Sequence, residues 1–307
     1  MKAPLYPPPL QKGDRIGIVA PAGQLQDPAR LIRGVAILEQ MGFQVKFPAN
    51  LWPGHHYLAD NDKNRAEEFN RLIRDDDIKG LICLRGGYGC LRMLDKIDLA
   101  AVARRPKIVA GFSDITILQN FLYAQTGLVC LHGPVITALD GATEECLAHF
   151  NDRLRNIVPP RIVSKQIEVL RSGRSAAAPL IGGNLASLVS FLGTPYDFSW
   201  DDKIVFLEDI NEPTYKIDRM LTQLQLAGKL DKIAGLILGD FSMSACTKAT
   251  EISRYRDTIW KRILELCADL SAPIWANFPS GHCPANLSFP LGATAVMESA
   301  ANTLIFD

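Results

Sequence analysis

The chain lacks an excess of charge of either sign: 33 Lys and Arg balance 33 Asp and Glu over 307 residues. That balance removes the basic stripe of a nucleic-acid binder and the polybasic face of a membrane-surface protein. Long apolar runs are missing too, and with no stretch of 18 uncharged apolar residues no transmembrane helix is expected. The first ten residues hold Lys2 and Pro4, Pro7, Pro8 and Pro9 where a signal peptide would need an apolar core. Cysteines are few and unpaired in pattern. The seven, at 83, 90, 130, 146, 246, 267 and 283, are odd in number and contain no C-x-x-C. Most sit in apolar company such as Leu81-Ile82-Cys83-Leu84, which reads as buried thiols in a reducing compartment, so a cytoplasmic location is expected. Disorder is excluded by the modest charged fraction of 21% against 48% hydrophobic residues. Neither S-x-x-K nor H-E-x-x-H occurs, which removes β-lactamase-like and zinc-peptidase logic.

What is present is an alternation of strand and helix. Arg15 to Ala20 is a short apolar run closed by Pro21-Ala22-Gly23, read as strand then turn. Helical spacing of Leu31, Ile32, Val35 and Leu38 predicts a helix from about Pro28 to Met41, and Arg65 to Arg74 a second. Further strands are expected at Phe43 to Phe47, Ile78 to Leu84, Lys107 to Gly111 and Leu128 to Leu131, and further helices near 91–97 and 114–124. Such alternation with near-continuous apolar strands predicts a doubly wound parallel α/β sheet. From about Ile157 the texture changes. The expected organisation is an N-terminal domain over 1–157, a linker over 158–178 containing Pro159-Pro160, and a smaller α/β domain over 179–307. Strands at Ile204 to Leu207, Gly235 to Leu238 and Thr294 to Val296 and helices at about 215–227 and 252–270 are expected in it.

Four segments could carry chemistry. Gly111-Phe112-Ser113-Asp114 sits at a strand-to-helix junction, where a parallel sheet presents ligands. It is like a nucleophile elbow without the second glycine, and Ser113 could equally be a helix N-cap. Arg85-Gly86-Gly87-Tyr88-Gly89 leaves another buried strand; its glycines either turn N–H groups into an oxyanion hole or make a tight turn. Glu208 ends the apolar run Ile204 to Leu207 and could orient a histidine, while Glu212 better suits the positive end of the following helix dipole. His282, in Ser280-Gly281-His282-Cys283-Pro284, is a loop histidine suited to catalysis or simply to solvent. Adjacent His282 and Cys283 chelate one metal poorly, and no His or Cys pair has zinc spacing, so no metal is expected. Together these are the parts of a serine hydrolase in the order Ser, Glu, His.

These motifs, with Ile18 to Gly23, Gly182-Gly183-Asn184-Leu185, Ile217-Asp218-Arg219 and Pro290-Leu291-Gly292, resemble the LD-carboxypeptidase family, also called muramoyltetrapeptide carboxypeptidases, along nearly the whole chain. The resemblance implies an N-terminal domain like class I glutamine amidotransferases and a smaller C-terminal α/β domain. It implies a triad of Ser113 as nucleophile, His282 as general base and Glu208 as orienter, with Glu212 the alternative acid. The implied oxyanion donors are the N–H groups of Gly87 (or Gly86) and Asp114; Arg85 and Gly86 are candidates for substrate binding, the terminal carboxylate going to a basic side chain such as Arg85 or to a helix N-terminus. The implied reaction removes terminal D-Ala from muropeptide tetrapeptides in peptidoglycan recycling, without metal or other cofactor, in a homodimer. Two alternatives stand beside it: a same-family immunity peptidase cleaving the amide of a peptide–nucleotide antibiotic, and a non-catalytic binder of a small ligand.

Overall fold

The central strands form from apolar segments too short for helices. The structure, a computed structural model, describes residues 2–49, 51–156, 158, 161–173 and 177–306. Among these the strands run in chain order β1 (Arg15–Val19), β2 (Gln44–Lys46), β3 (Ile78–Cys83), β4 (Ile108–Gly111), β5 (Cys130–His132), β6 (Arg161–Val163), β7 (Glu168–Arg171), β8 (Ala177–Asn184), β9 (Ile204–Ile210), β10 (Gly235–Ser242), β11 (Ile274–Ala276), β12 (Phe289–Leu291), β13 (Thr294–Glu298) and β14 (Thr303–Phe306). They build two sheets in two compact units, and the protein is α/β.

The first unit comprises Met1–Val158 and Pro284–Gly292. Its sheet has the order β12-β5-β4-β3-β1-β2, parallel except for β12, which runs antiparallel to β5. β3 and β4 are buried almost throughout, as strands covered on both faces must be. Local signals set the helices. Asp27 caps Pro28–Gln40 with Pro in its first turn, and Asn61 caps Asp62–Arg74, each side chain accepting a backbone N–H. The segment expected as a helix near 91–97 is a 3-10 helix, Cys90–Lys96. Helix Ile115–Thr126 is buried on nearly every face, which is why its sequence reads as apolar without a clear stripe.

The second unit comprises Pro159–Cys283 and Ala293–Asp307. Its mixed sheet has the order β6-β14-β13-β8-β9-β10-β11-β7. β8 to β11 are parallel neighbours, and antiparallel strands close both edges. This corrects the linker expected over 158–178, which instead carries β6, β7 and the start of β8. Its strands are short and half exposed at sheet edges, so they lack an apolar run. Ile157, Pro159, Pro160 and residues 174–176 of that stretch lie outside the described residues. A second correction concerns 284–292. Expected in the C-terminal domain, it adds β12 to the first sheet, where Phe289 pairs with His132 and stacks on its ring at 4.6 Å. No helix among the described residues is long and apolar enough to cross a membrane.

Candidate active site

In the first unit the candidate residues gather at the carboxyl ends of β3 and β4. β4 ends at Gly111, and the chain turns through Phe112 and Ser113 before helix Ile115–Thr126 begins. Ser113 has φ of 65°, a left-handed conformation that costs a non-glycine residue roughly 1 kcal/mol or more. It is not the helix cap, because Asp114 occupies that position. The strained turn puts Ser113 half-exposed between the buried Phe112 and Asp114.

The glycine loop that follows β3 lies against this turn. A Cβ at Gly86 would meet the Ser113 Cβ and Oγ at 2.7 Å, so only glycine allows the approach. The same imagined atom would lie 3.5 Å from the Asp114 nitrogen, so the Gly86 backbone and the first N–H after Ser113 are neighbours. Among the described residues neither the Gly87 nor the Asp114 N–H donates to a partner. Gly87 is exposed and Gly86 half-buried. Arg85 donates to the Gln24 carbonyl at 3.0 Å, and burial followed by the repulsion of Arg30 lowers its pKa.

The second unit holds the acid and the imidazole. Side chains alternate along β9, so Phe206 and Glu208 face one way and Asp209 the other. Phe206 packs edge-on against Phe278 at 6.1 Å, which brings the 278–282 loop to the Glu208 face. Leu207 pairs with Leu238 and Asp209 with Phe241, so Gly239 and Asp240 of β10 together oppose Glu208 in a β-bulge. The bulge lets the Asp240 N–H donate to the Ser280 carbonyl at 2.8 Å. Gly281 then passes so close that a Cβ there would lie 3.0 Å from the Glu208 Cβ and Oε2, and its φ of 120° likewise requires glycine.

This brings His282 Nδ1 to 2.6 Å from Glu208 Oε2. Glu208 is wholly buried, and its Oε1 has no hydrogen-bond partner among the described residues. A carboxylate can only accept, so in the neutral ring Nδ1 carries the proton and Nε2 is the basic nitrogen. Burial pulls the His282 pKa down, but Glu208, Asp209 and Asp240 outweigh it and the net shift is upward. Asp209 is itself pushed up to about 6, by burial first and then by Glu208. It accepts from Asn184 Nδ2 and from the N–H groups of Ala186 and Ile210, which fixes the start of helix Leu185–Val189. Asp240 is bound to Arg256 at 2.7 Å.

Of the candidate residues, the structure therefore brings Glu208 to His282 in one unit, and Gly86 and Asp114 to Ser113 in the other. Glu212 turns elsewhere, pairing with Lys216 at 3.3 Å one helical turn on. Asp209 and Asp240 were missed because an acid near the end of a strand looks like solvated surface until the sheet buries it. Among the described residues no group of three or more His, Cys, Asp or Glu could hold a metal ion.

The model of the LD-carboxypeptidase N-terminal domain matches residues 16–133, and that of the LD-carboxypeptidase C-terminal domain matches 177–297. The chain belongs to the LD-carboxypeptidase family. The Bacillus subtilis "Probable murein peptide carboxypeptidase" is 34% identical over 98% of this chain and 94% of its own length. The crystal structure of a muramoyltetrapeptide carboxypeptidase from Oxalobacter formigenes superposes with a TM-score of 0.79 at 31% identity, covering 95% of this chain and 97% of that one. The Escherichia coli microcin C7 self-immunity protein MccF is a more distant relative, 26% identical over 96% of this chain and 93% of its own length. Ser113 lies in the first matched segment, and Glu208 and His282 lie in the second.

Proposed function

We propose that this protein is a cytoplasmic serine LD-carboxypeptidase that removes the terminal D-Ala from muropeptide tetrapeptides during peptidoglycan recycling. The observation that carries the reading is the buried Glu208–His282 pair, in which the carboxylate holds Nδ1 at 2.6 Å and so makes Nε2 the basic nitrogen of the neutral ring. A second support is the strained, half-exposed Ser113 beside backbone N–H groups in the first unit. An N-terminal unit of the glutamine amidotransferase type fits a nucleophile on a strained turn after a central parallel strand.

In this mechanism His282 Nε2 takes the Ser113 hydroxyl proton as Oγ bonds to the carbonyl carbon ahead of D-Ala. The carbonyl π electrons move to oxygen, and the oxyanion is met by the N–H groups of Gly87 and Asp114. His282 then gives its proton to the departing amine, D-Ala leaves, and an acyl-Ser113 ester remains. Water, deprotonated by the same imidazole, hydrolyses the ester to tripeptide and free Ser113. Glu208 holds the ring and stabilises the transient imidazolium without taking the proton. Arg85, half-buried beside the glycine loop, is the proposed partner of the terminal D-Ala carboxylate. No cofactor takes part in any step, and a homodimer is the proposed assembly.

The likeness to the self-immunity protein supports a second reading, cleavage of an amide in a peptide–nucleotide antibiotic by the same triad. Mass spectrometry of a purified disaccharide-tetrapeptide incubated with wild type and with Ser113→Ala tests both. Tripeptide plus D-Ala from wild type alone supports the carboxypeptidase and its nucleophile. Product from the mutant rejects Ser113, and no product from folded wild type moves the assignment to the antibiotic amide.

A further inference from the structure

The peptide bond joining Gly89 to Cys90 is gripped at both ends by buried ionisable groups. Its carbonyl accepts from Arg65 Nη1 at 3.0 Å. Its N–H donates to Asp114 Oδ2 at 2.9 Å. Arg65 is fully buried on helix Asp62–Arg74, and Asp114 is buried immediately after Ser113. The guanidinium thus meets the negative end of the peptide dipole and the carboxylate the positive end, so each charge is offset through the peptide between them.

Arg65 also ties this peptide to its surroundings. It donates to the Pro21 carbonyl in the turn after β1, to the Asp60 carbonyl at 3.1 Å, and to Asp62 at 2.5 Å. At the other end of the glycine loop the Gly86 carbonyl accepts from the Gly23 N–H at 3.1 Å. Both ends of 86–89 are therefore anchored, and what lies between is a loop whose own N–H groups are left for something else. Nothing in the glycine run is stiff by itself, because glycine has the widest backbone freedom of any residue. An oxyanion hole needs its donors fixed before the charge appears.

We propose that Arg65 and the Asp114 side chain are positioning residues that clamp the Gly89–Cys90 peptide and so hold the Gly86–Gly89 loop against Ser113. Asp114 has two separate tasks in this arrangement: its N–H faces the oxyanion, and its carboxylate fixes the loop bearing the second donor. The inference rests on the serine-hydrolase reading above. A clamp of this kind acts on the transition state, whose oxygen needs the donors, and much less on the bound substrate.

Steady-state kinetics on the tetrapeptide, with a fluorophosphonate labelling rate for Ser113 measured in parallel, test it. Asp114→Ala removes the acceptor and is expected to lower kcat about ten- to hundredfold with KM within about twofold. Asp114→Asn keeps a carbonyl acceptor for the Cys90 N–H and is expected to recover most of that loss. Arg65→Lys keeps the charge but loses the fork, and is expected to lower kcat in the same way; it stands in if circular dichroism shows Asp114→Ala unfolded. A kcat for Asp114→Ala within twofold of wild type overturns the clamp. So does an equal fall in Asp114→Asn, or a rise in KM matching the fall in kcat. If wild type labels but cleaves no tetrapeptide, the substrate assignment fails and the labelling rates alone decide the clamp by the same ratios. If wild type neither labels nor cleaves, the nucleophile and the clamp fall together.

Discussion

The two groups of candidate residues, one in each unit, are built on different principles. Around Ser113 the first unit uses backbone: a positive φ, a glycine loop at closest approach, and N–H groups at the start of a helix. Around His282 the second unit uses charge: a wholly buried carboxylate, two more acids near it, and an imidazole whose pKa is raised by them. Backbone placement is sensitive to added volume and indifferent to pH. A buried ion pair is sensitive to pH and to the loss of either partner. The contrast matches the chemistry assigned to each half, since a nucleophile and its oxyanion donors need position, whereas a base needs a tuned affinity for a proton.

Substitutions can break this comparison, beginning with the largest effect. Ser113→Ala should abolish turnover, lowering kcat by about 10⁴-fold or more, read as D-Ala release. Glu208→Gln should lower kcat by about 10³- to 10⁴-fold, because an amide can present the wrong tautomer to the ring. Any residual activity should also change its pH dependence. In wild type kcat/KM should rise with pH through the His282 pKa, which Glu208 and the neighbouring acids hold above the ordinary histidine value, and fall away below it as the base becomes protonated. Removing the Glu208 charge should move that rise to lower pH; an unmoved profile would mean the acid does not tune the base.

Gly86→Ala tests the other half. Its Cβ would press on Ser113 at 2.7 Å, so kcat should drop about a hundredfold while the pH profile stays where it was. A shifted profile would erase the distinction between the halves. His282→Ala should cost about 3 kcal/mol of folding stability in urea titrations, because Glu208 is left buried without its partner. The raised pKa sets the sign of its pH dependence. The pair's contribution is full below the unfolded value of His and is lost as pH rises through the folded one, so the deficit should narrow at pH 9 relative to pH 6. Least of all, Glu212→Gln should change kcat less than twofold, since Glu212 pairs with Lys216.

Much of the first unit is legible in its sequence. Arg15–Val19, Ile78–Cys83 and Ile108–Gly111 are strands that local apolar runs and turn residues announce by themselves. The edges of the second sheet were not. β6 and β7 look like linker because a short edge strand takes its hydrogen bonds from partners such as β14 and β11, more than a hundred residues away. The transfer of 284–292 to the first unit was illegible for the same reason: β12 exists only because β5 offers it an edge.

The candidate site divides along the same line. Sequence alone determined which residues were worth considering: a serine at a strand end, glycines after a buried strand, a glutamate closing an apolar run, and a histidine between glycine and cysteine. Those are local properties of a few adjacent residues. Tertiary structure alone decided that Glu208 rather than Glu212 meets His282, through the alternation of β9, the bulge at Gly239-Asp240 and the glycine at 281. It alone showed that Arg65 and Asp114 hold one peptide between them. Burial, register and the meeting of distant charges depend on where other segments lie, and no window of neighbouring residues carries that information.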